Sequence, residues 1–193
     1  MITKLGNLVE IHAGQSIRNK IDNIANGDYF IIQIKDIDRH IGVNLPSLYK
    51  TNMKGKGTPK LVKKGDLLFV PKVFRESLPY SVVVNLDLPN LIVAPTFYTL
   101  SVKPSLIRTE YLNWFINSGA HGGKFFKKNA MGSSILNIPK TVLTEMEIIV
   151  PPLPVQDNFI KLMAATKKEK EIMDNLCQKR IAFIDEAINQ YLN

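Results

Sequence analysis

The chain has 193 residues, 45% of them hydrophobic, with 25 Lys+Arg against 17 Asp+Glu and a net charge of +8. That length suits one globular domain, alone or with an appendage, and buries a core without disulfides or metal. The composition excludes a disordered chain, no apolar run approaches the roughly 20 residues that cross a bilayer, and the first residues lack the apolar stretch of a signal peptide.

The segment Ala13-Gly14-Gln15-Ser16-Ile17-Arg18-Asn19-Lys20 reads as a polar loop. Tyr29-Phe30-Ile31-Ile32-Gln33-Ile34 reads as a strand, and Asp36 and Asp38 as solvent-facing strand positions. Further strands are expected at Leu67-Leu68-Phe69-Val70, Ser81-Val82-Val83-Val84 and Thr96-Phe97-Tyr98-Thr99-Leu100, with Lys63-Lys64-Gly65-Asp66 as the tight turn before the first of these. Thr109 is expected to cap a short helix over 110–117 that ends near Gly119, with Trp114 and Phe115 in the core. Gly122-Gly123-Lys124-Phe125-Phe126-Lys127-Lys128 starts another helix. Gly132-Ser133-Ser134-Ile135-Leu136-Asn137-Ile138 leads into Pro139, which opens a short turn. Met146-Glu147-Ile148-Ile149-Val150 is a strand candidate, with Glu145 and Glu147 facing solvent.

Pro151-Pro152-Leu153-Pro154 then stops any strand. From Val155 to Leu192 there is neither Pro nor Gly, and Phe159, Leu162, Met163, Ile172, Met173, Leu176, Phe183, Ile184, Ala187, Ile188 and Tyr191 recur at helical spacing. A helix over 155–192 would be about 55 Å long. Its apolar stripe, interrupted by the charged residues 167–171, needs a partner. The simplest is the same helix of a second copy; folding back on its own domain is the alternative. The expected fold class is α+β: a mixed α/β domain of short strands over 1–150, then a proline junction and a long dimerisation helix over 151–193. The strands are too short, and the intervening helices too few, for a doubly wound parallel sheet.

Charge divides the same way. Residues 155–193 are neutral, because Lys161, Lys167, Lys168, Lys170, Lys179 and Arg180 balance Asp157, Glu169, Glu171, Asp174, Asp185 and Glu186. The excess therefore belongs to residues 1–154. Within them Lys50, Lys54, Lys56, Lys60, Lys63, Lys64, Lys72 and Arg75 surround a single acid, Asp66. A solvated lysine-rich loop is the plainer reading of that cluster alone. Together with Arg18, Lys20, Lys35, Arg39, Lys124, Lys127 and Lys128 it reads as a phosphate-facing surface. Lys72, Arg75 and Glu76 follow a predicted strand on what reads as a loop, where Arg can pair bidentately with guanine. Gln15 and Asn19 can recognise adenine, and Arg18 and Lys20 can take phosphate, although an ordinary polar connection remains open there. The candidate DNA-contact set is Gln15, Arg18, Asn19, Lys20, Lys54, Lys56, Lys60, Lys72, Arg75, Lys127 and Lys128. The aromatic residues are not interleaved with the basic ones as in a single-strand stacking platform, which favours duplex DNA.

No motif for catalysis emerges. There is no G-x-G-x-x-G after a strand, no G-x-x-x-x-G-K-[ST] and no G-x-S-x-G. Gly55-Lys56-Gly57 reads as a flexible basic turn. His12, His40, His121 and Cys177 lack metal-ligand spacing, and packing is the expected role of Cys177. One cysteine cannot close an internal disulfide, so a reducing cytoplasm is the expected location.

The order of several blocks resembles the specificity (S) subunit of type I restriction–modification systems. They are Leu5-Gly6-Asn7-Leu8-Val9-Glu10-Ile11 with Gly14; Lys63-Lys64-Gly65-Asp66-Leu67-Leu68-Phe69; Thr109-Glu110-Tyr111-Leu112; and Gly132-Ser133-Ser134-Ile135. Last and most specific is Leu143 followed by Ile148-Ile149-Val150-Pro151-Pro152-Leu153-Pro154-Val155-Gln156. Such subunits usually hold two target recognition domains, each followed by a long helix, and this chain resembles one half. The resemblance implies a non-catalytic reader of double-stranded DNA. It implies a homodimer with antiparallel helices, a bipartite palindromic site, and docking of methyltransferase (M) and restriction (R) subunits. S-adenosylmethionine, ATP and Mg²⁺ would belong to those partners, with no cofactor or metal on this chain and no membrane. Many members carry a glycine-containing arginine loop where Val70-Pro71-Lys72-Val73-Phe74-Arg75 stands here, so base contacts do not transfer. A stand-alone DNA-binding regulator or defence accessory, an oligomerisation module that binds no DNA, and a nuclease with unrecognised carboxylates are the other readings.

Overall fold

A computed structural model of the chain describes residues 1–16, 21–39, 41–53 and 59–192. Backbone proximity divides it into two units, Met1–Leu153 and Pro154–Asn193. In chain order the first unit contains β1 (Ile2–Lys4), α1 (Leu5–Leu8), β2 (Val9–Ala13), β3 (Tyr29–Ile32), β4 (Ile37–Asp38), β5 (Gly42–Val43) and β6 (Tyr49–Thr51). There follow β7 (Leu67–Val70), β8 (Lys72–Phe74), β9 (Tyr80–Val83), β10 (Leu91–Val93), β11 (Tyr98–Val102) and α2 (Thr109–Asn117). The unit closes with α3 (Lys124–Asn129), β12 (Ile135–Asn137), α4 (Lys140–Thr144) and β13 (Glu147–Ile149). The last element is α5 (Leu153–Leu192), a 40-residue helix. The α+β class and the long terminal helix agree with the reading of the sequence.

The centre is a four-stranded antiparallel sheet ordered β2-β11-β7-β9. All four residues of β7 are buried, so both of its faces lie in core. Leu68 and Val70 belong to one apolar cluster with Ile31, Ile32, Leu91, Ile92 and Val93 of the sheet β10-β3-β6. That second sheet contains the parallel pair β3–β10. On the other face the Phe69 ring lies 5.6 Å from that of Phe126 in α3. A four-residue strand buried on both faces needs no polar alternation, which is why Leu67-Leu68-Phe69-Val70 is a continuous apolar run.

The turn before β7 is built from its own residues. Gly65 has φ +92°, where a side chain is strained, and Asp66 Oδ2 accepts the Lys63 N–H at 2.9 Å. Thr109 does not cap α2. It is the first residue of that helix, and its hydroxyl donates to Gly65 O at 2.9 Å, fastening the helix to the turn. At the other end Asn117 seals the sheet edge. Its Oδ1 accepts the Ser81 N–H and its Nδ2 donates to Ser81 O, both at 2.9 Å. An edge strand leaves such groups unpaired, and here an amide takes the place of a neighbouring strand.

Two other expectations change. Asp36 lies in a 3₁₀ turn (Ile34–Asp36), fully buried, rather than on a solvent-facing strand. Its carboxylate accepts the Gln33 N–H and the Lys35 ammonium, each at 2.9 Å, which offsets the cost of burying it. Glu145 is not on a strand either; it ends α4 and pairs with Lys4. That pairing holds the exposed Lys4 ammonium above its ordinary pKa. Phe115 is core, as expected, whereas Trp114 is only partly buried. The first and last strands of this unit meet: β1 pairs antiparallel with β13, and the Val150 N–H donates to Met1 O at 2.7 Å.

Helix α5 begins two residues earlier than predicted. Pro154 falls in its first turn, where a missing N–H has no helical partner to lose. Of the stripe residues, Met163 is half-buried, and large apolar ones such as Leu162, Ile172, Phe183, Ile188 and Tyr191 are exposed. Among the described residues no helix is long and apolar enough to cross a membrane.

Two glycines separate steric from conformational demand. A Cβ on Gly122, between α2 and α3, would sit 1.8 Å from Ile116 O, whereas at Gly65 it would meet nothing within 4 Å. Gly122→Ala is expected to lower stability by at least about 3 kcal/mol, as for overpacking. Gly65→Ala should cost only about 1–2 kcal/mol of left-handed strain. Urea unfolding of the two variants against wild type measures the difference.

Candidate nucleic-acid interface

The exposed basic residues are placed by buried neighbours. Strand β7 runs through Pro71 into β8, which pairs antiparallel with β12 in the register Lys72↔Asn137, Val73↔Leu136 and Phe74↔Ile135. Lys72 is therefore in a short strand rather than on a loop. Arg75 follows it, its N–H donating to Ser134 O at 3.2 Å, and a tight turn closes with the Ser77 N–H on Phe74 O at 2.9 Å. Met131 bridges to Asn137 on the far side of β12. The intervening turn requires Gly132, with φ +114° and a Cβ position 2.1 Å from Ile135 O. The glycine of Gly132-Ser133-Ser134-Ile135 thus shapes a two-stranded ribbon.

Helix α3 lies beside this ribbon. Its Phe126 is buried against Phe69, which leaves Lys124, Lys127 and Lys128 exposed. An open depression of about 640 Å³ is lined by Arg75, Glu76, Ser77, Leu78, Phe126, Lys127, Ala130, Gly132, Ser133 and Leu136. Arg75 and Lys127, 52 positions apart in sequence (127 − 75), thus share one concave surface. Lys128 is exposed on α3, which contributes Phe126 and Lys127 to the lining, and Lys72 is exposed on β8, just before the lining residue Arg75.

Other candidates lie elsewhere or outside the described residues. Gln15 follows β2, half-buried, its N–H on Val93 O at 2.8 Å; the adjacent Gly14 has no room for a Cβ against Ala94 O. Lys60 is exposed just before Val62, whose N–H donates to Leu91 O at 2.8 Å. Arg18, Asn19, Lys20, Lys54 and Lys56, with His40, Gly55 and Gly57, lie outside the described residues.

Two cations counted toward the basic surface are engaged internally. Lys35 Nζ binds the buried Asp36 carboxylate, donates to Ser47 O at 2.8 Å, and sits 3.9 Å from the Tyr49 ring centre. Arg39 Nη2 donates to Leu78 O at 2.8 Å, and its guanidinium lies 3.9 Å over the Tyr80 ring. These contacts hold the loop that enters β9, beside the depression. Burial pushes the Tyr80 phenol above its ordinary pKa, and the Arg39 charge pulls it partly back.

Three exposed apolar residues were not signalled by the sequence: Phe74 (72% exposed), Met131 (57%) and Ile135 (54%). Strand alternation could have placed Phe74 on the same face as Lys72, but β12, its partner, is too short to announce itself. In α5, Val155, Ile181 and Leu192 are further exposed apolar residues beyond the predicted stripe. Cys177 is exposed in the single chain, not packed. Among the described residues no group of three or more His, Cys, Asp or Glu could hold a metal ion.

A sequence model described as "Type I restriction modification DNA specificity domain" matches residues 1–180. No curated protein matches the sequence. Among solved structures, the type I restriction–modification S subunit from M. genitalium superposes with a TM-score of 0.55 at 13% identity, over 87% of this chain and 39% of that one. The HsdS subunit from Thermoanaerobacter tengcongensis gives 0.64 at 18% identity, over 88% of this chain and 37% of that one. A chain from a structure of complex assembly and conformational transition of the type I R-M system gives 0.66 at 19% identity, over 89% and 43%. At these identities the likeness is one of fold. The chain spans about two fifths of the length of these structures.

The Arg39–Tyr80 contact yields a direct test. Arg39→Gln removes the charge that lowers the Tyr80 pKa and keeps a side chain over the ring, so that the burial that raises it is largely retained. The phenol is expected to titrate at a still higher pH in the variant. NMR titration of ring-labelled tyrosine, with Tyr80→Phe to assign the signal, measures the shift.

Proposed function

The chain belongs to the type I restriction modification DNA specificity domain family, and from that premise we propose that it reads duplex DNA as the half-length specificity subunit of such a system. The first unit is the reader and α5 is the scaffold. Two copies pair their α5 helices antiparallel, hold two readers apart, and direct methyltransferase and then restriction subunits to a bipartite site. Catalysis belongs to those partners, which carry S-adenosylmethionine, ATP and Mg²⁺; this chain contributes position.

The observation that carries this reading is the shared depression of Arg75 and Lys127, with Lys72 and Lys128 exposed on β8 and α3. It gathers positive charge from separate parts of a chain whose excess of +8 lies outside α5. Such groups fix position on phosphates, and side chains that reach the groove supply sequence discrimination. The scaffold follows from α5. At about 1.5 Å per residue it is about 60 Å long, against about 34–36 Å for one turn of DNA. Two-fold symmetry with readers that far apart calls for a palindrome with an unread gap.

Selection from random duplex DNA with the purified chain, alone or with its methyltransferase partner, is expected to enrich one gapped palindrome. Affinity should fall linearly in log–log terms with salt, and Lys127→Ala should reduce the slope by about 1. An ungapped single motif would refute the antiparallel pair. Failure to enrich any motif in both preparations would refute the reader.

The scaffold is tested separately. Leu176→Glu with Ile184→Glu puts two charges on the stripe and should turn a dimer into a monomer, with no loss of folding in the first unit. Sedimentation equilibrium and circular dichroism measure the two.

A further inference from the structure

The β8–β12 ribbon exposes apolar side chains close in sequence to the exposed cations Lys72 and Arg75. Residues directly opposite on an antiparallel pair share a face, and alternate residues along a strand share it too. Phe74 and Ile135 therefore stand together, with Lys72 and Asn137 in the next row and Met131 beyond Asn137. Val73 turns the other way and packs against the core, while Leu136 lines the depression. Phe74 is 72% exposed although it is two residues from Lys72 and one from Arg75. A phenylalanine and an isoleucine facing water on a two-stranded ribbon add nothing to the core beneath them. Lys72 shares their face, whereas Arg75 and Lys127 line the depression with Leu136 on the other side of the ribbon, where Glu76 is the one acid.

Resting on the reader proposed above, we infer that this ribbon is the base-reading element. It enters the major groove, with Phe74 and Ile135 against thymine methyl groups. The major groove of B-DNA admits a two-stranded ribbon, and the thymine C5-methyl is the one apolar feature on its floor. Phosphates on either side account for the flanking cations, which an apolar protein partner would not require. Lys72 and Arg75 lie on the same element, within reach of guanine edges or of the groove wall. Specificity at A·T pairs would thus come from apolar contact rather than from an Asn or Gln hydrogen bond.

The test uses the full chain, with its methyltransferase partner if binding requires it, on the motif it selects. Deoxyuridine replaces thymine at each position in turn, which removes only the methyl group. At one or more positions the wild type should lose about fourfold in affinity, the worth of one buried methyl group. The variant Phe74→Ala with Ile135→Ala should bind with an unchanged salt slope but no uracil penalty. Lys127→Ala should show the converse, a smaller slope with the penalty kept. A motif without A·T pairs, or uracil at every position without effect on wild type, overturns the inference while sequence-specific DNA binding stands. So does a double variant that keeps the penalty, or one that binds DNA normally but fails to assemble with the methyltransferase, which would assign the patch to protein. If no motif is selected under any condition, the reader itself falls, and this inference with it.

Discussion

The two-sided burial of β7 is the constraint on which the first unit depends. Leu67, Leu68, Phe69 and Val70 are each essentially inaccessible, and each contributes about 1.5–3 kcal/mol through apolar burial. Because alternate residues face opposite sides, the strand joins two packing regions that would otherwise be separate. Leu68 and Val70 meet the β10-β3-β6 sheet, and Phe69 meets α3. The same strand continues through Pro71 into β8. The ribbon therefore leaves a strand buried on both faces, and Lys72, Phe74 and Arg75 inherit its position. As the base-reading element proposed above, it would lose little further order on binding, which favours affinity.

Hydrogen bonds between side chains and backbone carry that placement outward. Gly65 sets the turn before β7, and Thr109 fastens α2 to it. Asn117, at the far end of α2, closes the edge of β9. Gly122 then lets the chain pass tightly from α2 to α3, and Phe126 seats α3 on Phe69. Each link places Lys127 relative to Arg75 without a direct contact between them. Positive charge is divided between two tasks. Lys35 and Arg39 neutralise or cover groups within the unit, whereas Lys72, Arg75, Lys127 and Lys128 face outward.

The sequence announced elements whose signal is local. Leu67-Leu68-Phe69-Val70 after a Gly-Asp turn could only be a short buried strand or a buried helix segment, and its length decided the matter. The 38 residues from Val155 to Leu192 without Pro or Gly could hardly be anything but helix. Less was legible where partners are distant in the chain. Strands β8 and β12 have three residues each and lie about 60 positions apart, so neither shows a period and the pairing is invisible until the fold forms. Asp36 looked solvent-facing because acidic residues are seldom buried; only a Lys35 ammonium and a backbone N–H make its burial tolerable. Thr109 looked like a cap because threonine favours that role, and the tertiary bond to Gly65 prevailed over the local preference. At the candidate site, only the fold unites Arg75 with Lys127 and leaves Gln15 outside the depression they share.

Helix α5 poses the opposite problem, since its local signal is strong while its apolar stripe lies exposed. A 40-residue helix with Leu162, Ile172, Phe183 and Ile188 in water has little to hold it, because most helical stability in proteins comes from packing an apolar face. Its apolar residues form two groups, 159–163 and 172–191, on either side of the charged 167–171. In an antiparallel pair centred between Ile172 and Met173, residue i faces residue 345 − i. Leu162 of one copy then meets Phe183 of the other, and the Ile172–Met173 steps meet at the axis. A parallel pair would instead set Glu169, which continues the 162–169–176–183 spacing of the stripe, against its own copy. Like charges at that separation are destabilising, so the interruption in the stripe argues for the antiparallel direction. In the dimer proposed above, that direction would carry the two reading units to opposite ends of the scaffold.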